Sequence, residues 1–200
     1  MKIGMLGAGE VALSVARHAV ELGHEVLLSN HSGPEKLADA LRTLGPKASA
    51  VTVVEAASAP VVLLATPWKT IEAVLKGLPD WNGRILIDAT NPFLETIPKL
   101  VLADLGDQSA SEIVAALAPG ARVVKAFNNI VMTNFNAGAE RENARRVLFV
   151  SGDDTEAKQL IADFITAMGF KTIDLGGLKI GGRMQQAGGP LAGHDFLISQ

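Results

Sequence analysis

The first twelve residues constrain the fold most strongly, because they join an apolar strand, a glycine turn and the start of a helix. Lys2–Leu6 is followed by Gly7-Ala8-Gly9-Glu10-Val11-Ala12, which matches the spacing G-x-G-x-x-G/A. In such a turn the first glycine permits the tight bend, the second lets a pyrophosphate approach the backbone, and free N–H groups of the helix face the phosphates. The pattern predicts a Rossmann dinucleotide site, and the alternative is a glycine turn that binds nothing. The predicted pyrophosphate residues are Gly7, Ala8, Gly9, Glu10 and Val11.

Short apolar runs alternate with segments of helical periodicity along the chain, which is typical of βαβ units and a parallel sheet. Two amphipathic segments, Glu10–Leu22 and Thr155–Met168, predict helices, and each is followed by a glycine. We therefore expect one α/β domain over residues 1–200, with a mostly parallel, doubly wound sheet of about eight strands. The predicted strands are Lys2–Leu6, Glu25–Ser29, Ala50–Val54, Val61–Ala65, Arg84–Asp88, Arg122–Ala126, Val147–Ser151 and Lys171–Asp174.

Two segments do not fit this alternation. Residues 92–109 form a long connection, in which we expect a short helix around Lys99–Ala103. Residues 176–193 hold seven of the 20 glycines. Arg183, Gln185 and Gln186 would be unnecessary in a flexible tail. We therefore expect residues 176–200 to fold over the predicted dinucleotide site, on the side where a second ligand, the redox acceptor, would bind.

The end of the second predicted strand bears on the choice of nicotinamide cofactor. Sites specific for NAD usually carry an acid there, which holds the ribose diol. This chain has Leu28-Ser29-Asn30-His31-Ser32 instead, and its next acid is Glu35. Hydroxyl and amide donors together with Lys36 favour NADP. NAD stays open, because the segment contains no arginine.

Composition excludes several other classes of function. The net charge is −3 and basic residues form no run, so a nucleic acid is not an expected partner. The chain has no cysteine, and its four histidines lack metal-site spacing. Without a charged leader or a run of roughly 18 apolar residues, we expect no membrane partner and a cytoplasmic location.

Several motifs together resemble a known family. The motifs are Ile3-Gly4-Met5-Leu6-Gly7-Ala8-Gly9, Leu28-Ser29-Asn30, Ala65-Thr66-Pro67-Trp68, Val124-Lys125-Ala126-Phe127-Asn128 and Gly188-Gly189-Pro190-Leu191. They resemble the NADP-dependent reductases of the deazaflavin coenzyme F420. They are also similar to the NADPH domain of six-transmembrane ferric and cupric reductases.

The resemblance implies roles for residues outside the glycine turn, and in many members it implies a homodimer. Ser29, Asn30, His31 and Lys36 would hold the 2′-phosphate of NADP. Ala65, Thr66 and Pro67 would line the path after the fourth strand, and Asn91 and Phe127 would border the nicotinamide. Asn128 is a suitable amide partner for a carboxamide or a ring carbonyl. Many relatives have an arginine where this chain has His31-Ser32, so its selectivity for NADP is expected to be weaker.

The predicted function is hydride transfer between NADP(H) and a flavin-like acceptor, either deazaflavin or FMN. A quinone or a ferric chelate stays open as the acceptor. We assign no side chain as a proton donor, because hydride transfer between stacked rings depends mainly on proximity and orientation. The alternative is a redox sensor that binds NADP without catalysis.

Overall fold

The computed structural model describes residues 1–199. Its strands are β1 (Lys2–Leu6), β2 (Glu25–Ser29), β3 (Ala48–Ala50), β4 (Val61–Leu64), β5 (Ile85–Asp88), β6 (Phe93–Glu95), β7 (Val101–Leu102), β8 (Arg122–Lys125), β9 (Glu140–Arg141), β10 (Ala144–Gly152), β11 (Lys171–Asp174) and β12 (Leu197–Ser199). Its α-helices are α1 (Glu10–Glu21), α2 (Ala38–Leu44), α3 (Val53–Ala57), α4 (Ile71–Leu75), α5 (Ala110–Leu117), α6 (Met132–Asn136), α7 (Thr155–Ala167) and α8 (Arg183–Gln185). Short 3-10 helices span Pro34–Leu37 and Trp68–Thr70, and a π-helical turn spans Leu178–Gly182.

One sheet forms the centre of the domain, and its main strand order is β11-β10-β8-β5-β4-β1-β2-β3. Within this sheet, the six neighbouring strands β3, β2, β1, β4, β5 and β8 pair in parallel, whereas β10 runs antiparallel to β8. The chain moves outward from β1 in one direction through β2 and β3, and in the other direction from β4. The carboxyl ends of β1 and β4 therefore flank a crevice at the switch point, where open α/β sheets bind ligands. The predicted single α/β domain with about eight strands is confirmed.

The central strands are buried on both faces, as their apolar sequences predict. In β4, Val61 and Leu63 pack on the face covered by α1 and α7, whereas Val62 and Leu64 pack on the face covered by α3, α4 and α5. On the face covered by α3, the helix approaches β1 very closely at Gly4, where a Cβ atom would lie 1.8 Å from the carbonyl oxygen of Ala56. Only a glycine in β1 lets α3 approach the sheet in this way.

The structure corrects the predicted elements at two places. The third strand is Ala48–Ala50 rather than Ala50–Val54, because Thr52 and Glu55 form a capping box that starts α3. The helix expected around Lys99–Ala103 is wrong, since β6 and β7 form an antiparallel hairpin there. The helices α1 and α7 agree with their predicted bounds to within one residue at the C-terminus.

Candidate dinucleotide and acceptor site

The glycine turn lies at the carboxyl end of β1 and opens the crevice. Gly7 has φ +116°, and a Cβ atom there would lie 2.4 Å from the carbonyl oxygen of Ala65. Gly9 is the N-cap of α1, and no side chain of the described residues caps the helix there. A Cβ atom on Gly9 would meet no described atom within 4 Å, so this residue faces open space. The free N–H groups of the first turn of α1 can therefore hold an anion.

A cavity of about 500 Å³, which we call the nucleotide cavity, lies on the β2 side of this turn. Asn30 and His31 line it, and both contact Ser32: the Asn30 Oδ1 accepts from the Ser32 N–H, and the His31 Nε2 lies 3.1 Å from the Ser32 Oγ. Lys36 is exposed in the following 3-10 helix. The expected role of Ser29 needs correction, because its fully buried hydroxyl donates to the Met5 carbonyl and does not face a 2′-phosphate.

A second cavity of about 500 Å³, the central cavity, continues the crevice over the first turn of α1. Both cavities are lined by Gly9, Ala65, Thr66 and Pro67, so they join at the carboxyl ends of β1 and β4. The Thr66 Oγ1 is buried at this junction and has no hydrogen-bond partner within the described chain. A ligand that spans both cavities can satisfy that hydroxyl. Glu10 and Val11 line the central cavity as well.

A third cavity of about 330 Å³, the acceptor cavity, adjoins the central cavity at Asn91 and Phe93. Its walls include the apolar side chains of Leu100, Ile130 and Val131. Three buried amide atoms in and beside it have no partner within residues 1–199, namely Asn128 Oδ1, Asn129 Nδ2 and Gln185 Oε1. Apolar walls with a few unsatisfied polar atoms are typical of sites for planar organic ligands.

Phe127 does not border a cavity with its ring, which corrects the expected role of this residue. The ring is fully buried and packs edge-on against Phe135 and Phe164, at centroid distances of 6.0 and 6.3 Å. Its backbone has φ +63°, which is uncommon for a bulky residue. Because the aromatic core fixes the ring, this turn directs the next residue, Asn128, toward the acceptor cavity.

A buried ion pair joins the ends of β5 and β8, next to Ala89 and Thr90 of the central cavity, and sequence reasoning missed it. The Lys125 Nζ donates to the Asp88 Oδ2 at 3.0 Å, and both side chains are fully buried. Asp88 also accepts hydrogen bonds from the hydroxyl groups of Thr90 and Ser111. Burial raises the pKa of Asp88, but the Lys125 ammonium and these hydrogen bonds together hold it below its usual range. The sequence does carry a signal for this pair, because β5 and β8 read as buried strands and each of them ends in a charged residue.

The glycine-rich segment packs against this network through its polar side chains. The Gln185 Nε2 donates to the Lys125 carbonyl, and the Gln186 Oε1 accepts from the Ala110 N–H. The Arg183 guanidinium donates to the carbonyl oxygens of Gly106 and Asp107. These contacts hold residues 182–187 in place, and the glycine-rich segment lines the acceptor cavity through Ala187, Gly188, Ala192 and Gly193.

Within residues 1–199, no group of three or more His, Asp or Glu side chains could hold a metal ion. No helix in the described part of the chain is both long and apolar enough to cross a membrane.

Known proteins resemble this chain in sequence and in structure. Residues 2–92 match the family described as NADP oxidoreductase coenzyme F420-dependent. A hypothetical protein from Sinorhizobium meliloti is 33% identical and superimposes with a TM-score of 0.91, over 100% of this chain and 96% of that one. A putative F420-dependent NADP reductase from an Arthrobacter species is 27% identical, with a TM-score of 0.77 over 89% and 86% of the two chains.

In both sequence and structure the chain resembles the coenzyme F420-dependent NADP oxidoreductases, as its sequence motifs predict. The metalloreductase STEAP3 of Rattus norvegicus is also similar, at 36% identity over 179 residues. Those residues are 88% of this chain and 34% of the rat protein, so the chain spans about a third of that relative.

Proposed function

We propose that this F420-dependent oxidoreductase relative transfers a hydride between NADP(H) and a flavin-like acceptor, either a deazaflavin or FMN. The observation that carries the proposal is the contact between the central and acceptor cavities at Asn91 and Phe93. Two planar ligands in adjoining cavities can stack, and stacking supplies the proximity that hydride transfer requires.

The dinucleotide would extend through the nucleotide and central cavities. The uncapped first turn of α1 would hold the pyrophosphate through backbone N–H groups from Gly9 to Val11, and Gly7 and Ala8 would shape the approach. The orphaned hydroxyl of Thr66 fits a ligand that passes between Pro67 and the glycine turn. The uncapped turn and the orphaned hydroxyl support this placement of the dinucleotide.

Selection of NADP would depend on the short segment after β2. Asn30 and His31 line the nucleotide cavity, and Lys36 adds an exposed positive charge nearby in the chain. No carboxylate of this turn lines the cavity within residues 1–199, so a 2′-phosphate would not be repelled there. With the Ser29 hydroxyl engaged by Met5, the amide and imidazole groups carry the selectivity.

When bound, NADPH supplies the hydride from its nicotinamide ring, and the chain orients the two rings. Asn91 donates from its Nδ2 to the Asn128 carbonyl, which holds the two cavity-lining loops together. Phe93, Ile130 and Val131 exclude water from the space between the ligands. No side chain of the site is required to move a proton during the hydride step.

A homodimer is part of the proposal. The β6–β7 hairpin exposes Ile97, Leu100 and Val101 beside the acceptor cavity. Exposed apolar side chains of this kind favour association with a second copy. Analytical ultracentrifugation would test this point separately from catalysis.

The deciding experiment is calorimetric titration with NADPH and NADH, each with and without FMN or a deazaflavin, followed by single-turnover measurement of NADPH oxidation. We expect NADPH to bind at least about tenfold more tightly than NADH, a difference of about 1.4 kcal/mol, and to reduce one acceptor. Equal binding of the two nucleotides would contradict the 2′-phosphate assignment. NADPH binding without reduction of any acceptor would favour the redox sensor.

A matched pair of variants tests the acceptor cavity. Val131 is half exposed and lines the acceptor cavity, whereas Val54 is equally exposed on α3 and lines none of the three cavities. Val131→Trp should abolish binding of the acceptor and leave NADPH affinity unchanged, because its bulk fills the acceptor cavity alone. Val54→Trp should change neither, and equal effects of the two variants would contradict the assignment.

A further inference from the structure

The Asp88–Lys125 ion pair joins the ends of the two strands from which the acceptor-side loops begin. Asp88 is the last residue of β5 and lies three residues before Asn91, and Lys125 is the last residue of β8 and lies three residues before Asn128. The Lys125 Nζ also donates to the Thr90 carbonyl at 3.0 Å. The ammonium group thus holds both the carboxylate and the backbone of the β5 loop.

The same network extends to the glycine-rich segment. The Lys125 carbonyl accepts from the Gln185 Nε2 at 2.9 Å, and the Gln185 carbonyl accepts from the Asn128 Nδ2 at 2.8 Å. The Asn91 Oδ1 then accepts from the Ala187 N–H at 2.9 Å. Asn91, Asn128 and the segment around Ala187, which together line the acceptor cavity, are therefore all connected to one buried charge pair.

Stability gives a poor explanation for this pair. Transfer of two charges from water into a fully buried site is costly, and replacement of such a pair by neutral groups of similar volume is often neutral or stabilising. Asp88 receives four hydrogen bonds, from the Thr90 N–H, the hydroxyls of Thr90 and Ser111, and Lys125. So complete a set of partners fixes the geometry of the carboxylate in every direction. An arrangement that adds little stability but much geometric constraint suits a positioning role.

We propose that Asp88 and Lys125 are positioning residues that hold Asn91, Asn128 and the 182–187 segment in the arrangement required for hydride transfer. This inference rests on the proposed function, because it concerns the geometry of the same two cavities. The pair touches neither the nucleotide cavity nor the glycine turn. Its removal should therefore slow hydride transfer and alter the nicotinamide environment while affinity for NADPH is retained.

The test uses the neutral double variant Asp88→Asn with Lys125→Met, whose side chains are close in size to the originals. The surface pair Lys2–Glu25, at the amino ends of β1 and β2, provides the control as Lys2→Met with Glu25→Gln. We expect the buried double variant to fold and to bind NADPH within about threefold of wild type. Its single-turnover hydride transfer should fall roughly 10- to 100-fold, as for other small displacements of reacting groups. The control should match wild type in all three measurements.

Two further measurements keep the inference testable. Gln185→Met cuts the link between the Lys125 carbonyl and the acceptor side without removing a charge, and it should slow hydride transfer in the same way. The fluorescence lifetime of bound NADPH should also shift toward that of the free nucleotide in both variants. A folded variant with wild-type transfer rate and lifetime would overturn the inference.

The outcomes separate this inference from the proposed function. If wild type binds NADPH but reduces no flavin or deazaflavin, the proposed function fails, and the lifetime comparison still decides whether the pair positions the site. If wild type does not bind NADPH, both are overturned. Loss of NADPH binding in a folded double variant would assign the pair to the nucleotide site instead.

Discussion

Alanine substitution at Gly7 and at Gly9 should separate the two functions of the glycine turn, since the structure gives the two positions very different surroundings. At Gly7 a Cβ atom would lie 2.4 Å from a backbone oxygen, and φ is +116°. At Gly9 the Cβ atom would meet no described atom within 4 Å, and φ is −80°. The first substitution must distort the contact between the ends of β1 and β4. The second leaves the fold intact but places a methyl group in the cavity.

The expected magnitudes follow from these surroundings. Gly7→Ala combines backbone strain of about 1–3 kcal/mol with overpacking of about 1–3 kcal/mol. It should therefore lower the free energy of unfolding by roughly 2–6 kcal/mol, a large share of the roughly 5–15 kcal/mol typical of a domain. Gly9→Ala should cost only about 0.5–1 kcal/mol, the loss of an acceptable N-cap.

Urea unfolding followed by circular dichroism measures the first effect, and calorimetric titration with NADPH measures the second. We expect Gly9→Ala to weaken NADPH binding at least about tenfold, although its unfolding curve stays close to that of wild type. Gly4→Ala is the control, because it is expected to destabilise the contact with Ala56 at a distance from the crevice. Unchanged NADPH affinity in Gly9→Ala would refute the pyrophosphate site, and wild-type stability in Gly7→Ala would refute the close-approach argument.

Two further predictions concern the cofactor and the response to pH. Asn30→Asp places a carboxylate in the nucleotide cavity, where it would repel a 2′-phosphate and accept hydrogen bonds from a ribose diol. Titration should therefore show about tenfold weaker binding of NADPH and tighter binding of NADH. An unchanged ratio of the two affinities would contradict the assignment. Burial against Phe135 and Phe170 lowers the pKa of His18 below 6.5. The fold therefore favours the neutral imidazole at and above neutral pH, and this contribution to stability is lost as the pH falls below 6.5 toward the lowered pKa. Urea unfolding across this window should therefore show a shallower loss of stability in His18→Gln, and identical slopes in variant and wild type would exclude this role.

The crevice could be predicted because its signals are local in the sequence. A strand followed at once by Gly7 and Gly9 and then by an amphipathic helix has few ways to fold, and the structure forms that turn at the switch point of the sheet. The lack of an acid after β2 is likewise visible in a few consecutive residues. Where local signals competed, prediction failed: the Val-rich run after Ala50 has strand propensity, but the capping box of Thr52 starts a helix there.

The sequence by itself determined the sheet class, the glycine turn and the acid-free segment of Asn30 and His31 after β2, because short-range steric and hydrogen-bonding preferences specify each of them. Only the tertiary structure decided that the Ser29 hydroxyl is turned toward Met5 and that the Phe127 ring lies in the core. It also decided the partnership of Asp88 with Lys125, 37 residues apart, and of Lys125 with Gln185, 60 residues apart. Such contacts depend on which strands become neighbours and on which face each side chain is buried, and no local pattern in the chain encodes either.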